Sequence, residues 1–121
     1  MIYKFKTRYL RISSRKLRPL LVELKNKKTS EAIDILNNRP EKGAALILKS
    51  LNAAIAGSLL RDASEDELKI NLISVDEGPH LKRRLYKPRG RADLILKRMS
   101  HLTIALKDKR KKKSIAKKTE I

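Results

Sequence analysis

The segment of residues 76–101 is rich in basic side chains, since eight of its 26 residues are Lys or Arg and three are acidic. The eight are Lys82, Arg83, Arg84, Lys87, Arg89, Arg91, Lys97 and Arg98. Arg and Lys form charge-assisted hydrogen bonds with phosphate oxygens. Two of the acids, Asp76 and Glu77, lie at the start of the segment, so its middle is strongly cationic. The chemistry that this pattern predicts is contact with a polyanion.

Residues that could support catalysis or hold a metal form no recognisable group in the sequence. Asp76 and Glu77 are neighbours, whose side chains on a strand point to opposite faces, so they cannot act as an acid and base on one substrate. His80 and His101 lack a third ligand, and the sequence contains no cysteine. The Ser13–Ser14 pair lacks a nearby base, and no Gly-rich phosphate loop is present. We predict no catalytic residue, no metal site and no cofactor.

The chain as a whole is strongly basic. Its 121 residues include 31 Lys and Arg against 13 Asp and Glu, a formal net charge of +18. Residues 41–80 are the exception, with four basic and seven acidic side chains. Such a charge on a chain of one-domain length predicts a polyanionic partner, nucleic acid first of all. With one Phe, three Tyr and no Trp, phosphate contact is expected more than base stacking.

Membrane and targeting segments are not expected. The longest uncharged stretch, residues 50–60, is about half as long as a membrane-spanning helix requires. Residues 1–22 are basic and free of acids, like an organelle transit peptide, but they lack an apolar signal core. We interpret them as part of the mature fold.

Hydrophobic periodicity predicts an α+β fold in which a small three-stranded antiparallel sheet packs on three helices. The first strand is indicated by a period of two at Tyr3, Phe5, Thr7 and Tyr9. The second strand shows two opposite phases of alternation, which predicts a bulge or bend between Leu72 and Ile73. The third strand is indicated by Leu102, Ile104 and Leu106.

The predicted helices have recognisable starting residues. Ser13 can cap the first, whose apolar stripe is Leu17, Leu20, Leu21 and Leu24. Pro19 lies past the first turn and predicts a kink or a later start. The second helix is predicted from a cap at Ser30 through Leu36. The third has Pro40 at its first position and one charge between residues 44 and 60, so it should form the buried centre of the core.

The cationic segment joins the last two predicted strands and shows no helical stripe, so we predict a long extended β-hairpin over residues 76–101. Pro88 and Gly90 suit a chain reversal, which places the tip at residues 87–91. Two arms of about 3.3 Å per residue would project roughly 40 Å. Because isolated two-stranded sheets are marginal in water, we expect folded RNA to order the hairpin.

The chain is predicted to form one RNA-binding domain over residues 1–108, followed by a basic tail over residues 109–121. By its position in the sequence, Lys107 groups with the tail cations Lys109, Arg110, Lys111, Lys112 and Lys113. The tail can be interpreted as a solvated end, an RNA-binding arm or a nuclear address.

Several motifs occur together and in register. Around the hairpin they are Val75-Asp76-Glu77-Gly78-Pro79, Leu81-Lys82-Arg83, Gly90-Arg91-Ala92-Asp93, Lys97-Arg98 and Ser100-His101. Elsewhere they are Arg11-Ile12-Ser13, Arg15-Lys16, Arg18, Glu31-Ala32, Ile35-Leu36, Lys49 and Ala54-Ile55-Ala56. Over roughly residues 9–106 the sequence resembles the family of bacterial-type large ribosomal subunit protein twenty-two. No single short motif would give a match of this extent.

The resemblance implies a structural protein without catalytic activity, placed on the exterior of the large ribosomal subunit near the peptide exit. It implies binding to large-subunit (23S-type) rRNA, support of subunit assembly, and a hairpin that lines the nascent-peptide exit tunnel. Neighbouring ribosomal proteins are the implied partners, among them ribosomal protein four at a narrowing of the tunnel. No membrane, small-molecule substrate or self-association is implied. The location is the cytoplasmic ribosome of a bacterium, or the ribosome of an organelle that encodes its own copy.

Applied to this sequence, the resemblance and the charge pattern together give two sets of site residues. The predicted RNA-binding residues are Arg8, Arg11, Ser14, Arg15, Lys16, Arg18, Lys82, Arg83, Arg84, Lys87, Arg89, Arg91, Lys97, Arg98 and His101. The predicted tunnel tip consists of Tyr86, Lys87, Pro88, Arg89, Gly90 and Arg91.

The sequence departs from the family pattern at three positions. The family usually has its tip Pro two residues earlier than Pro88 relative to Gly90. Gly57 stands where the family usually has Asn, and Pro19 is not typical of the first helix.

Other functions would explain part of the pattern. The hairpin cations could belong to a solvated loop, although such runs are seldom bracketed by two patterned strands. From pattern alone, Arg15, Lys16 and Arg18 suit an exposed helix face nearly as well. A DNA-compacting protein should show a minor-groove wedge or a dimerising helix, and a membrane-active polycation should show an amphipathic helix with aromatic residues. Neither pattern is clear here.

Overall fold

The computed structural model describes residues 2–61, 63 and 67–108, so the predicted basic tail lies outside the described residues. The elements in chain order are β1 (Ile2–Leu10), α1 (Ser14–Leu24), α2 (Thr29–Asn37), α3 (Lys42–Leu59), β2 (Leu68–Glu77), β3 (Leu81–Lys87), β4 (Arg91–Lys97) and β5 (Ser100–Asp108). The predicted α+β architecture, with three helices, a three-stranded sheet and a β-hairpin, is confirmed.

The main sheet has the order β1-β5-β2 and is antiparallel throughout. Its register aligns side chains of the helix-covered face in three rows, which are Tyr3–Leu106–Ile70, Phe5–Ile104–Ile73 and Thr7–Leu102–Val75. β5 is central, and five consecutive residues from Leu102 to Leu106 are buried. Thr103 and Ala105 on the opposite face are also buried. The register places Thr103 between Lys6 and Ser74 and Ala105 between Lys4 and Leu72, so the side chains of the neighbouring strands flank these small residues.

The bulge in β2 occurs earlier than predicted. The register shifts between Ile70 and Leu72, so Asn71 is the additional residue and the predicted position after Leu72 is wrong. Leu72 is consequently 45% exposed, whereas Ile73 and Val75 return to the core. The sequence shows that the phase changes, but any residue between two apolar runs could absorb the change.

The end of β1 also differs from the predicted alternation. Tyr9 has a φ of 59°, in the left-handed region, and the register with β5 shifts between Thr7 and Leu10. Tyr9 is therefore 58% exposed instead of lying on the core face, and Leu10 packs against the core in its place. Left-handed backbone is uncommon for a residue with a large side chain, so alternation alone cannot predict it.

The helices follow their apolar stripes more closely than their predicted caps. Helix α1 runs unbroken through the exposed Pro19, so the alternative of a later start is wrong, and Ser13 is its N-cap without a side-chain capping hydrogen bond. α2 has Lys28 as N-cap and contains Ser30 within the helix. α3 has Glu41 as N-cap, so Pro40 precedes the helix. The predicted burial of α3 is confirmed, by residues Ala44, Ile47, Leu51, Ala54 and Ile55.

Gly57 allows α3 to approach β1 closely. A Cβ atom at Gly57 would lie 2.5 Å from Cε1 of the Phe5 ring, which is closer than van der Waals contact permits. The ring is further held by Arg61, whose guanidinium lies 5.7 Å from the ring centroid. The family usually has Asn at this position. In this chain Gly stands there, and the Phe5 ring occupies the space that a side chain at position 57 would need.

We expect Gly57→Ala to lower the free energy of unfolding by about 1 kcal/mol, because overpacking costs about 1–3 kcal/mol and exceeds the gain of about 1 kcal/mol in helix propensity. In a Phe5→Ala background the same change should raise the stability. Urea unfolding of the parent, the two single variants and the double variant gives the coupling free energy between positions 5 and 57. The exposed substitution Ala53→Gly measures helix propensity alone, and equal effects of Gly57→Ala in both backgrounds would contradict the steric explanation.

Candidate nucleic-acid interface

The hairpin is formed by β3 and β4, which pair with each other in a two-stranded sheet distinct from the main one. The register runs from Leu81 opposite Lys97 to Lys87 opposite Arg91. A short 3-10 turn, Pro88–Gly90, connects the arms. The chain reversal therefore lies within residues 87–91, where it was predicted.

The turn uses two consecutive residues in left-handed conformation, Arg89 with φ 66° and Gly90 with φ 71°. Gly adopts this region without steric cost, and no atom lies within 4 Å of the position that a Cβ of Gly90 would occupy. The left-handed region is less favourable for Arg89, which carries a Cβ. Arg89 thus places an exposed guanidinium at the apex of the hairpin.

The register places cationic side chains directly opposite apolar ones across the hairpin. Directly paired residues of antiparallel strands share a face. On one face Lys82, Arg84 and Tyr86 stand opposite Leu96, Leu94 and Ala92. On the other face Leu81, Arg83, Leu85 and Lys87 stand opposite Lys97, Ile95, Asp93 and Arg91. Each face of the hairpin therefore offers both phosphate-binding and apolar groups.

Large apolar side chains of the hairpin are exposed. Tyr86 is 83% exposed, and Leu85 and Leu94 are about half exposed or more. The arms therefore bury little against each other, as the scattered apolar pattern of the sequence predicted. That folded RNA orders them stays a prediction.

One ion pair lies close to the tip. Lys87 Nζ is 2.5 Å from Asp93 Oδ2, and both side chains are more than half exposed. Exposed pairs of this kind contribute about 0–1 kcal/mol. Lys87 can therefore exchange Asp93 for a phosphate at little cost.

The base of the hairpin is fixed to the main sheet. The Gly78 amide donates to the Met99 carbonyl at 2.8 Å, which extends the ladder of β2 and β5 by one bond. The Ser100 hydroxyl donates to the Ile12 carbonyl at 2.9 Å and ties β5 to the segment before α1. A Cβ at Gly78 would lie 3.2 Å from the Met99 oxygen and 3.3 Å from the His101 ring, so a larger residue would crowd this junction.

His101 takes part in a contact within the protein. Its Nδ1 accepts a hydrogen bond of 3.0 Å from the Tyr9 amide, and the two rings meet edge to face at a centroid distance of 5.1 Å. His101 is half-buried, so it has less surface for RNA than the neighbouring cations.

Most of the predicted RNA-binding residues share the property of exposure. The exposed ones are Arg8, Arg11, Arg15, Lys16, Arg18, Lys82, Arg83, Arg84, Lys87, Arg89, Arg91, Lys97 and Arg98. Two predicted residues are not exposed: His101 is half-buried, and Ser14 is only 5% exposed. It stands at positions i, i+3 and i+7 with Leu17 and Leu21, on the core side of α1. The side chain of Ser14 is therefore buried in the free protein, and its contact with RNA stays a prediction.

Comparison with known proteins identifies the family of this chain. The model of the family "Ribosomal protein L22p/L17e" matches residues 5–107. The chain belongs to this family. A curated relative, the large ribosomal subunit protein uL22 of Treponema denticola, is 40% identical over 109 residues, which cover 88% of this chain and 92% of the relative. The resemblance noted in the sequence is confirmed.

This L22p/L17e protein has a second cationic surface that the sequence reasoning missed. Lys4, Lys6 and Lys107 are exposed on the outer face of the main sheet, and Lys69 stands directly opposite Lys107. Lys107 belongs to β5 and not to the tail. The alternating lysines of β1, Lys4 and Lys6, are visible in the sequence. That they share a face of the sheet with Lys69 and Lys107 follows only from the strand register.

Within residues 2–61, 63 and 67–108, no three His, Asp or Glu side chains are grouped so that they could hold a metal ion. Over the same residues, no helix is both long and apolar enough to cross a bilayer.

Proposed function

We propose that this ribosomal protein is a structural component of the large subunit that binds large-subunit rRNA, supports assembly and lines the peptide exit tunnel with its hairpin. The observation that carries the proposal is the hairpin, whose exposed cations lie on both faces beside exposed apolar side chains. The name of the Treponema relative, a large ribosomal subunit protein, supports it.

Cations on both faces favour insertion over surface binding. A ribbon that lay on a duplex would present one charged face to phosphates and leave the other to solvent. Here Arg84 and Arg83 point to opposite faces, and Arg89 extends from the apex. Such a ribbon suits a crevice with RNA walls on several sides, where phosphate contacts fix position and the apolar side chains lose contact with water.

The body supplies further RNA contacts under this proposal. Arg11, Arg15, Lys16 and Arg18 are exposed along the start of α1, and Arg8 lies near the end of β1. The proposed tunnel tip is Tyr86 to Arg91, with ribosomal protein four as a neighbour at the narrowing. The protein acts without catalysis, in the ribosome of a bacterium or of an organelle.

A probe at the tip tests the placement. The chain has no cysteine, so Arg89→Cys provides a unique attachment point for an iron chelate that generates hydroxyl radicals. In subunits reconstituted with this protein, we expect rRNA cleavage along the tunnel wall. Ser30→Cys, at an exposed position of α2, is the matched control. A chelate attached there should cleave a different set of rRNA nucleotides, at the outer surface of the subunit. Tip cleavage confined to the outer surface would refute the tunnel placement.

A further inference from the structure

An open crevice separates the base of the hairpin from the helical body. It has a volume of about 940 Å³ and is lined by the segment before α1, the first turns of α1 and α3, and the inner ends of β3 and β4. Binding sites for small organic groups have volumes of about 300–1,000 Å³. The crevice can therefore hold a group of nucleotide size.

The lining combines an apolar set and a cationic set. The apolar side chains are Ile12, Leu20, Leu81, Leu96 and Met99, and the cationic ones are Arg11, Lys16, Lys42, Arg83, Lys97 and Arg98. Glu41 is the acidic residue of the lining, and its carboxylate lies 3.6 Å from Arg39 Nη1, which offsets part of its charge. The crevice thus suits an anion attached to a flat, poorly hydrated group.

We propose that this crevice binds one unstacked nucleotide of an RNA strand, with the base against the apolar side chains and the adjoining phosphates against the cations. The inference rests on the proposed function and adds a site to it. RNA recognition commonly uses bases that have left the helical stack, and Arg guanidinium planes serve as stacking surfaces where aromatic rings are absent. Arg11, Arg83 and Arg98 supply three such planes.

Charge continuity favours RNA over an acidic protein segment as the occupant. Arg11 and Lys16 continue into Arg15 and Arg18 on α1, and Arg83 and Lys97 continue into the cations of the hairpin arms. A strand that leaves the crevice in either direction therefore meets further phosphate-binding groups. An acidic peptide would match the charge but would not need the apolar set.

The test compares two RNA hairpins that differ by one bulged 4-thiouridine, each bound to the full-length protein. We expect the bulged RNA to bind about tenfold more tightly, in line with the contribution of a single base contact. Near-ultraviolet light should cross-link the thiouridine to peptides that contain Ile12, Leu81, Leu96 or Met99. Ser13→Trp should remove the preference by filling the crevice, since Ser13 lines it and makes no capping hydrogen bond with its side chain.

Ser30→Trp, at an exposed position of α2, is the matched control and should keep the preference. Equal binding of both RNAs by the parent protein, or cross-links confined to other peptides, would overturn the crevice site and leave the proposed function standing. Competition against the bulged RNA separates the two kinds of occupant. If polyglutamate displaces this RNA as well as a uridine oligomer of equal charge does, the nucleotide site is overturned in favour of a protein occupant. Failure of both RNAs to bind would remove the proposed function itself. The cross-link in the parent protein decides the question should Ser13→Trp fail to fold.

Discussion

Arg83→Glu combined with Arg84→Glu is expected to weaken binding to large-subunit RNA by about 100-fold or more. Hydrogen bonds to charged groups contribute about 1.5–3 kcal/mol each, and reversing the charge adds repulsion from phosphates. Both side chains are exposed, and the register directs them to opposite faces, so two separate contacts are lost. Equilibrium binding measures the loss, and the helical circular dichroism of the free protein should not change.

The matched control makes the same change of net charge on the body. Lys25→Glu with Lys49→Glu alters two exposed positions, one after α1 and one on α3. This pair should weaken binding far less. An equal loss in both double variants would mean that overall charge, and not the hairpin, determines affinity.

Raising the salt concentration from 50 to 200 mM is expected to lower the affinity for large-subunit RNA by about 10³–10⁵. This range applies to about six to ten neutralised phosphates, each of which releases counterions. The exposed cations of α1 and the hairpin are numerous enough to supply that number of contacts. A plot of the logarithm of the binding constant against the logarithm of salt concentration gives the number of phosphates.

The two predictions can be tested against each other. Removing two phosphate contacts should reduce the magnitude of the salt slope by about 1.4–1.8, at about 0.7–0.9 per contact. The Arg83 and Arg84 variant should show this reduction. A shallow slope in the parent protein, or an unchanged slope in the variant, contradicts phosphate-dominated docking.

The elements of the fold could be predicted from the sequence because their signals are local. The apolar stripe of α1 and the Pro88–Gly90 reversal each depend on a few neighbouring residues. The bulge at Asn71 and the left-handed Tyr9 depend instead on how distant strands align, so their positions were missed. The starts of α2 and α3 differ by two residues from the predicted ones, because several residues near each start can serve as a cap.

The residues of the candidate site could be predicted from the sequence, but their arrangement in space could not. The hairpin cations are visible in the sequence, but the pairing of Arg84 with Leu94 and of Arg83 with Ile95 is a property of the register. The burial of Ser14 could not be read from its polar side chain, because it depends on which side of α1 packs on the core. The crevice joins residues near position 12 with residues near positions 42, 83 and 98, a grouping that only the fold produces.

The position of β5 has a consequence for the order of events during synthesis. It lies between β1 and β2, yet it is synthesised after both of them. Ile2 of β1 therefore cannot pair with its partner Lys107 until nearly the whole domain has been made. Neither earlier strand has its ladder partner until then, although the three helices are already present. Pairings of such long sequence separation are slow to form. Resistance of the nascent chain to proteases should therefore arise late and in one step, when β5 pairs with β1 and β2 together.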